Sequence, residues 1–392
     1  MRELEHRIKT IAKENGAALV GLASKDRLVD APPSADPAYL LPSARSVISF
    51  AIPYERKALR EFFSKSSWRA FNLDKKQNTR CLYRIGDHLV DLLKTEGFDA
   101  LAVDINNNYR PEPGASDVSE IVAMVPDFSH RYGAVAAGIG RLGWSGNVMT
   151  PRYGSAVLLG TVLTSAKLES DPLVEENPCD RCKMCVASCP VEMMHTKQSV
   201  KVSVAGITEE IAEKRTNNCC WIGCDGYHGL SADKKWTNWS PYRLATPLPE
   251  EDPAVDGLCT LLRKADPDVS PDALNIYTHY RQSFFDPDYL FFSVCGNCAN
   301  VCWPDREDRI ANRKLLADSG IVVLRTNGER TAVPAEKDIV EIDTPFHVKV
   351  AMLREECEAA MRRELDLPDH QALTLSDAEV LKRLRKLFPP TT

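Results

Sequence analysis

The stretch CDRCKMCVASCP, residues 179–190, sets four thiols and a proline within twelve positions. Its spacing, Cys179-x2-Cys182-x2-Cys185-x3-Cys189-Pro190, is that of a bacterial ferredoxin loop, in which three thiolates cap one [4Fe–4S] cubane and the fourth reaches a second cluster. A second block, Cys295-x2-Cys298-x3-Cys302 followed by Trp303-Pro304, repeats the tail of that pattern. Two cubanes take eight thiolates and these blocks supply seven. The eighth is expected from CCWIGCDGYH, residues 219–228, where Cys219, Cys220 and Cys224 compete and Cys219 is preferred. With the ligands crossing over as in two-cluster ferredoxins, cluster one takes Cys179, Cys182, Cys185 and Cys302. Cluster two then takes Cys189, Cys219, Cys295 and Cys298. Tetrahedral zinc is the alternative, since CxxC pairs also build zinc sites, but four thiols this crowded argue against it. Cys220, Cys224 and His228 could hold zinc as a set of their own, or the two thiols could simply be buried near a cluster. Cys81, Cys259 and Cys357 stand alone on apolar stretches and read as core residues.

Thirteen cysteines and no visible export signal fit a reducing compartment, where dense cysteine means metal and not disulfides. Clusters closed entirely by protein thiolates leave no open iron for substrate, so their expected role is electron relay. The relay needs a terminus, and the residues ahead of the cysteines are where it is expected. A net charge of −6 disfavours nucleic acid as a partner. No apolar run is long enough to span a bilayer, and the charged start MRELEHRIKTIAKENG has no secretory pattern. A cytoplasmic protein without membrane contact is expected.

The elements that must position these thiols alternate along the first half of the chain. Leu4, Ile8, Ile11 and Ala12 lie at helical spacing, with Gly16 placed to stop the helix, and AALVGLAS then reads as a strand. RSVISFAIPY (45–54) and FDALAV (98–103) are further strand candidates, separated by a helix over 82–96 that Gly97 ends. This alternation predicts an α/β or α+β layer over residues 1–170. Residues 130–165 carry seven glycines among small and apolar residues, including a GxGxxG at Gly138, Gly140 and Gly143. Glycine permits close backbone approach, so this block seats either a large planar ligand or tightly packed neighbouring chain. The GxGxxG follows a helix candidate, AVAAG, and is poor evidence for a dinucleotide site. Residues 171–310 hold the cysteine blocks with a polar, tryptophan-bearing insert near 231–256. Residues 311–392 form an extension with a short strand candidate, IVVLRT, an amphipathic helix near 348–364 and a basic terminal helix.

The order of these pieces resembles a known family. ARSVISFAIPY (44–54), AAGIGRLGWSGNVMTPRYGSAVLLGTVLT (136–164), the first cysteine block and VCGNCANVCWPD (294–305) are similar to the family joining epoxyqueuosine reductases to reductive dehalogenases, over roughly residues 1–310. The resemblance implies an α+β fold, namely an α/β nitroreductase-like corrinoid-binding domain closed by a ferredoxin-like double [4Fe–4S] module. It implies a base-off cobalamin over the glycine block, with Gly138, Gly140, Arg141, Gly143, Ser145, Gly146, Asn147, Thr150, Tyr153 and Gly154 as contacts. Electrons from a low-potential donor such as ferredoxin or flavodoxin would pass through both clusters to cobalt, and Co(I) would reduce a small organic substrate. Reductive dehalogenases carry an arginine where this chain has Leu158, and epoxyqueuosine reductases an aspartate where it has Met124. The proton donors expected here are therefore Asp127, Tyr132 or Tyr109, with His130 a structural histidine. Epoxyqueuosine reduction on tRNA and a non-catalytic electron carrier are the alternative functions.

Overall fold

The computed structural model describes residues 2–104, 109–111, 123–240, 251–265, 285, 293–324 and 330–335. The helices expected near 348–364 and at the C-terminus, and Cys357, lie outside these residues.

A four-stranded sheet forms the first layer. Its strands are β1 (Leu19–Ser24), β2 (Ser46–Pro53), β3 (Ala100–Val103) and β6 (Val157–Thr164), in the order β1-β2-β6-β3. Every neighbouring pair is antiparallel, so the layer is α+β and no βαβ crossover exists among these strands. Seven of the eight β2 residues are buried, because helices cover both faces. Ile48, Phe50 and Ile52 point to α1 (Arg2–Glu14) and α3 (Arg69–Thr95), packing with Ile8, Ile85, Leu89 and Leu93. The intervening Val47 and Ala51 point the other way, to Phe128 and α4 (His130–Ala136). The period of two in the strand thus feeds two cores. Gly160 of β6 leaves room for the Phe50 ring, which would lie 2.2 Å from a Cβ there. Truncating Phe50 to alanine is expected to cost about 3–5 kcal/mol.

Helix α1 ends as its sequence predicts, at a Gly16 with φ of 106°. The helix expected over 82–96 starts earlier, at Arg69, because Phe71, Thr79 and Leu82 continue its buried face.

Beyond β6 the chain enters the cysteine-bearing half. It contains α5 (Met184–Ala187), the hairpin β7 (Met194–Val204) and β8 (Ile207–Lys214), α6 (Asn217–Cys224) and α7 (Asp252–Ala265). Then come α8 (Asn297–Asn300), α9 (Arg306–Ala317) and a second hairpin, β9 (Ile321–Leu324) with β10 (Arg330–Val333). The β7–β8 hairpin is docked on the sheet layer. Val204 and Ile211 join the α4 core, and the Asp30 carboxylate accepts from the backbone N–H groups of Ala205 and Gly206. The tryptophans of the expected polar insert are core residues: Trp236 and Trp239 pack with Trp303, Phe62, Phe63 and Phe71. Trp239 Nε1 donates to the Phe62 carbonyl at 2.9 Å. This aromatic cluster ties α2 (Arg56–Phe63) to the second cysteine block. Among the described residues no helix is long and apolar enough to cross a membrane.

Candidate metal centre

The first cysteine block is a loop whose turns are held by side chains. Asn177 Oδ1 accepts from Cys179 N at 2.9 Å, and Asp180 Oδ1 from Cys182 N at 3.1 Å. Arg181 and Lys183 adopt left-handed φ of 56° and 61°, curling the chain so that thiols three apart turn inward. Non-glycine residues in that region cost about 1–2 kcal/mol each, so other contacts must hold the loop. Arg309 of α9 supplies one. Its buried guanidinium donates to Asp180 Oδ2 at 2.7 Å and to the carbonyls of Trp303 and Pro304 at 2.9 and 2.7 Å. One side chain thereby fastens the first block to the second. Burial alone would raise the Asp180 carboxyl, but Arg309 and the Cys182 N–H outweigh it and hold the group below its ordinary value.

The result is a hollow lined by Cys179, Cys182, Cys185 and Cys302, the four thiols expected to share cluster one. Burial, reinforced by the neighbouring thiols, pushes Cys302 up to about 12 and Cys185 higher still. Thiolates here would need a cationic partner, as a bound iron cluster is. Two buried N–H groups on this hollow, Trp144 Nε1 and Arg309 Nε, lack a protein acceptor. Unmet buried donors are costly, and cluster sulfide would meet them.

Cys189, Cys295 and Cys298 gather beside this hollow, Cys298 also lying near Cys185, and Cys220 joins that set. Burial raises the Cys189 thiol, and the thiols that add to the effect are Cys295, Cys298 and Cys220. Cys298 is raised to about 11 by burial, with Cys220 and Cys295 again its thiol neighbours. Cys219, expected as the eighth ligand, is not in this group. It is fully buried on another side of α6, where its charged neighbours are Arg215, Asp252 and Asp256. Successive helical residues point about 100° apart, so only one of two adjacent cysteines can face the ring. Cys224, one helical turn beyond Cys220, has its sulfur 3.6 Å from Cys220 Sγ. Sharing a hydrogen bond with Cys224 lowers both Cys220 and Cys295. Among the described residues no three His, Cys, Asp or Glu side chains close on one metal ion. The thiols instead sort into two groups, one lining a hollow, and the donor sets fit two cubanes.

The glycine-rich block is the wall between these thiols and the sheet layer. It includes the short strands β4 (Arg141–Leu142) and β5 (Val148–Met149). Trp144 N donates to Cys179 Sγ at 3.3 Å, and Asn147 Nδ2 to Cys298 Sγ at 3.6 Å, so the block reaches both sets of thiols. Its glycines are met by protein. A Cβ would lie 2.1 Å from the Pro172 carbonyl oxygen at Gly138, 2.5 Å from that of Met149 at Gly140 and 2.1 Å from that of Cys302 at Gly154. At Gly143 it would meet Cys179 Sγ at 3.5 Å, and at Gly146 Lys214 Nζ at 3.1 Å. Arg141 is ion-paired with Glu209 of the hairpin, Thr150 Oγ1 donates to the Gly154 carbonyl, and Ser145 Oγ accepts from Asn147. Tyr153 is half-buried, with the Arg152 guanidinium 5.2 Å from its ring centroid. Close approach of chain to chain accounts for these glycines.

The candidate proton donors are divided. Tyr109 pairs with Pro126 in an isolated antiparallel bridge, beside which Arg110 Nη2 donates to the Asp127 carbonyl at 2.9 Å. Burial raises the Asp127 carboxyl above its ordinary value against the opposing pull of Arg110. Tyr132, on α4, is half-buried against the sheet core. His130 is structural: Nε2 donates to the Asp104 carbonyl and Nδ1 accepts from Thr161 Oγ1, both at 2.8 Å. Burial lowers this histidine to about 4 and keeps it neutral.

No family model matches the chain. Curated relatives include the epoxyqueuosine reductase of Staphylococcus aureus (strain NCTC 8325 / PS 47), 30% identical over 172 residues that make up 41% of this chain and 38% of that protein. That of Bacillus cereus is 27% identical over 228 residues, 55% of each chain. The chain is similar to the epoxyqueuosine reductases. The family resemblance drawn from the cysteine and glycine motifs is borne out, although the chain spans only about two-fifths to half the length of these relatives. Solved structures with some likeness include an epoxyqueuosine reductase with a tRNA stem loop, 17% identical with a TM-score of 0.43, covering 98% of this chain and 99% of that one. A reductive dehalogenase is 14% identical with a TM-score of 0.42, covering 92% and 49%. At such scores the likeness in shape does not establish a shared fold. The expectation against a nucleic-acid partner rests on net charge alone and is not borne out by the described residues.

Proposed function

We propose that this chain is an iron–sulfur oxidoreductase in which two [4Fe–4S] clusters relay electrons. Cluster one is held by Cys179, Cys182, Cys185 and Cys302, and cluster two by Cys189, Cys220, Cys295 and Cys298. The observation that carries the proposal is the sorting of eight thiols from three stretches of chain into two sets, each receiving an N–H bond from the glycine block. Residues 1–170 would be the nitroreductase-like layer, 171–310 the ferredoxin-like module and 311–392 an extension.

The resemblance supplies the acceptor, a base-off cobalamin, which when bound provides a strongly reducing cobalt centre. Its seat would be formed over the glycine block, as the resemblance implies, with Tyr109 and Asp127 as candidate proton donors. The raised Asp127 carboxyl suits a proton held for a reduced substrate. The names of the curated relatives favour epoxyqueuosine in tRNA as substrate. The filled glycine block favours a second reading, an electron carrier without corrinoid.

Anaerobic protein reduced with dithionite and mixed with cob(II)alamin separates these readings. Retention of about one cobalt per chain on gel filtration, with bleaching of reduced-cluster signal, supports the corrinoid reductase. Iron without cobalt supports the carrier, and absence of iron refutes both.

A further inference from the structure

The described residues place unequal charge around the two sets of thiols. Beside cluster one's thiols stand Arg309, already ion-paired with Asp180, and Lys183, whose amine donates to the Thr196 carbonyl in an exposed contact. Beside cluster two's stand three lysines from three elements. Lys65 follows α2 and lies over Trp239, whose backbone N–H donates to the Val294 carbonyl beside Cys295; Lys75 on α3 donates to Ser293 Oγ, two residues from Cys295; and Lys214 ends β8 against Gly146, whose neighbour Asn147 donates to Cys298 Sγ. Lys65 is only 8% exposed; its amine donates to Ser319 Oγ at 3.0 Å and lies 5.9 Å from the Trp239 ring centroid. Among the described residues neither Lys65 nor Lys214 is paired with a carboxylate, whereas the lysines that do pair, Lys9 and Lys57, lie elsewhere.

Lys65 is costly twice over. It ends α2 with a φ of 60°, a left-handed position that glycine usually fills. It also buries an amine that has no carboxylate partner among the described residues. Two penalties at one residue point to a role. An anionic group between these amines and the thiols would repay both. A [4Fe–4S] cluster on four thiolates is such a group, and its negative charge grows by one on reduction.

We propose that Lys65 and Lys214, with Lys75, are the counter-charges of cluster two and hold its reduction potential above that of cluster one, so that cluster two is reduced first. The inference rests on the two-cluster reading. Net charge is one of the factors that set such potentials, and the amines favour the more negative state. These lysines are positioning residues that act through the cluster.

The test is an EPR-monitored redox titration of anaerobically prepared holoprotein. The wave absent from Cys220→Ala/Cys224→Ala protein belongs to cluster two, and it should be the higher of the two. Lys65→Met and Lys214→Met should each lower that wave by at least tenfold in the reduction equilibrium, 59 mV for one electron, and leave the other in place. Lys65→Arg should restore it. Lys65→Gly relieves the left-handed strain and should fold well, yet shift the wave as Lys65→Met does. Full iron content with unmoved potentials, or movement of the other wave instead, overturns the inference alone. Protein without iron overturns the two-cluster reading and this inference with it.

Discussion

Alanine at Cys219 and alanine at Cys220 should have opposite consequences, although the two are chain neighbours. Cys219 is fully buried and points to Arg215, Asp252 and Asp256, away from the other thiols. Its replacement removes one buried heavy atom. The lost transfer energy is about 0.8 kcal/mol, as for a methylene, and a small cavity brings the total to about 1–2 kcal/mol. Both clusters should remain. Cys220→Ala removes a ligand that Cys189 and Cys298 both face, and the iron and sulfide of one cluster should go with it, about half the total. Cys224 Sγ, 3.6 Å from Cys220 Sγ, is the thiol placed to step in, so the double variant Cys220→Ala/Cys224→Ala gives the full effect. The assay is iron and labile sulfide per chain after anaerobic purification, with denaturant unfolding of the Cys219→Ala protein. Half the iron lost from Cys219→Ala, with full iron in the double variant, would refute the assignment.

Three further outcomes follow from particular contacts. His130 is held neutral with its folded value lowered to about 4 against an ordinary 6.5, so stability should be flat above pH 6.5 and fall as the pH drops from there toward 4. The loss is about 3 kcal/mol in all, and His130→Gln should abolish that slope in urea melts between those pH values. Gly154→Ala puts a Cβ at a φ of 65° and 2.1 Å from the Cys302 carbonyl oxygen, so it should cost well over the ~1–2 kcal/mol of left-handed strain and strip cluster one. Gly206→Ala, also left-handed but with nothing within 4 Å, should cost only that strain and keep its iron. Arg309→Met breaks the buried fastening between the cysteine blocks; because Asp180 is 36% exposed the cost should be about 2–3 kcal/mol, with faster loss of cluster one to a chelator. Equal chelation rates in both proteins would count against that role.

Local periodicity was a sound guide where one face is buried against one layer. The spacing of Leu4, Ile8 and Ala12 and the stop at Gly16 were readable for that reason, and so was the strand character of SVISFAIP. The cysteine spacing carried the crossover because ligand chemistry fixes how far apart such thiols can lie. What could not be read depends on long-range geometry. Nothing local separates Cys219 from Cys220, since the choice is made by which side of α6 faces the second block. The glycine block looked the same whether a ligand or Pro172, Cys302 and Lys214 filled its gaps. Trp236 and Trp239, set among polar residues, gave no sign of joining an aromatic core formed with α2. Arg309 and Lys65 are not legible in the sequence because single charged residues on a helix or just past its end usually face solvent. The one available signal at Lys65 was a lysine directly after an amphipathic helix where a glycine would be ordinary.

Counting iron, sulfide and zinc in protein purified without oxygen bears most directly on the pair of thiol cages. About eight iron and eight sulfide per chain, with zinc near zero, is the expected result. One or two zinc atoms with no sulfide, or thiols found oxidised in pairs, would contradict it.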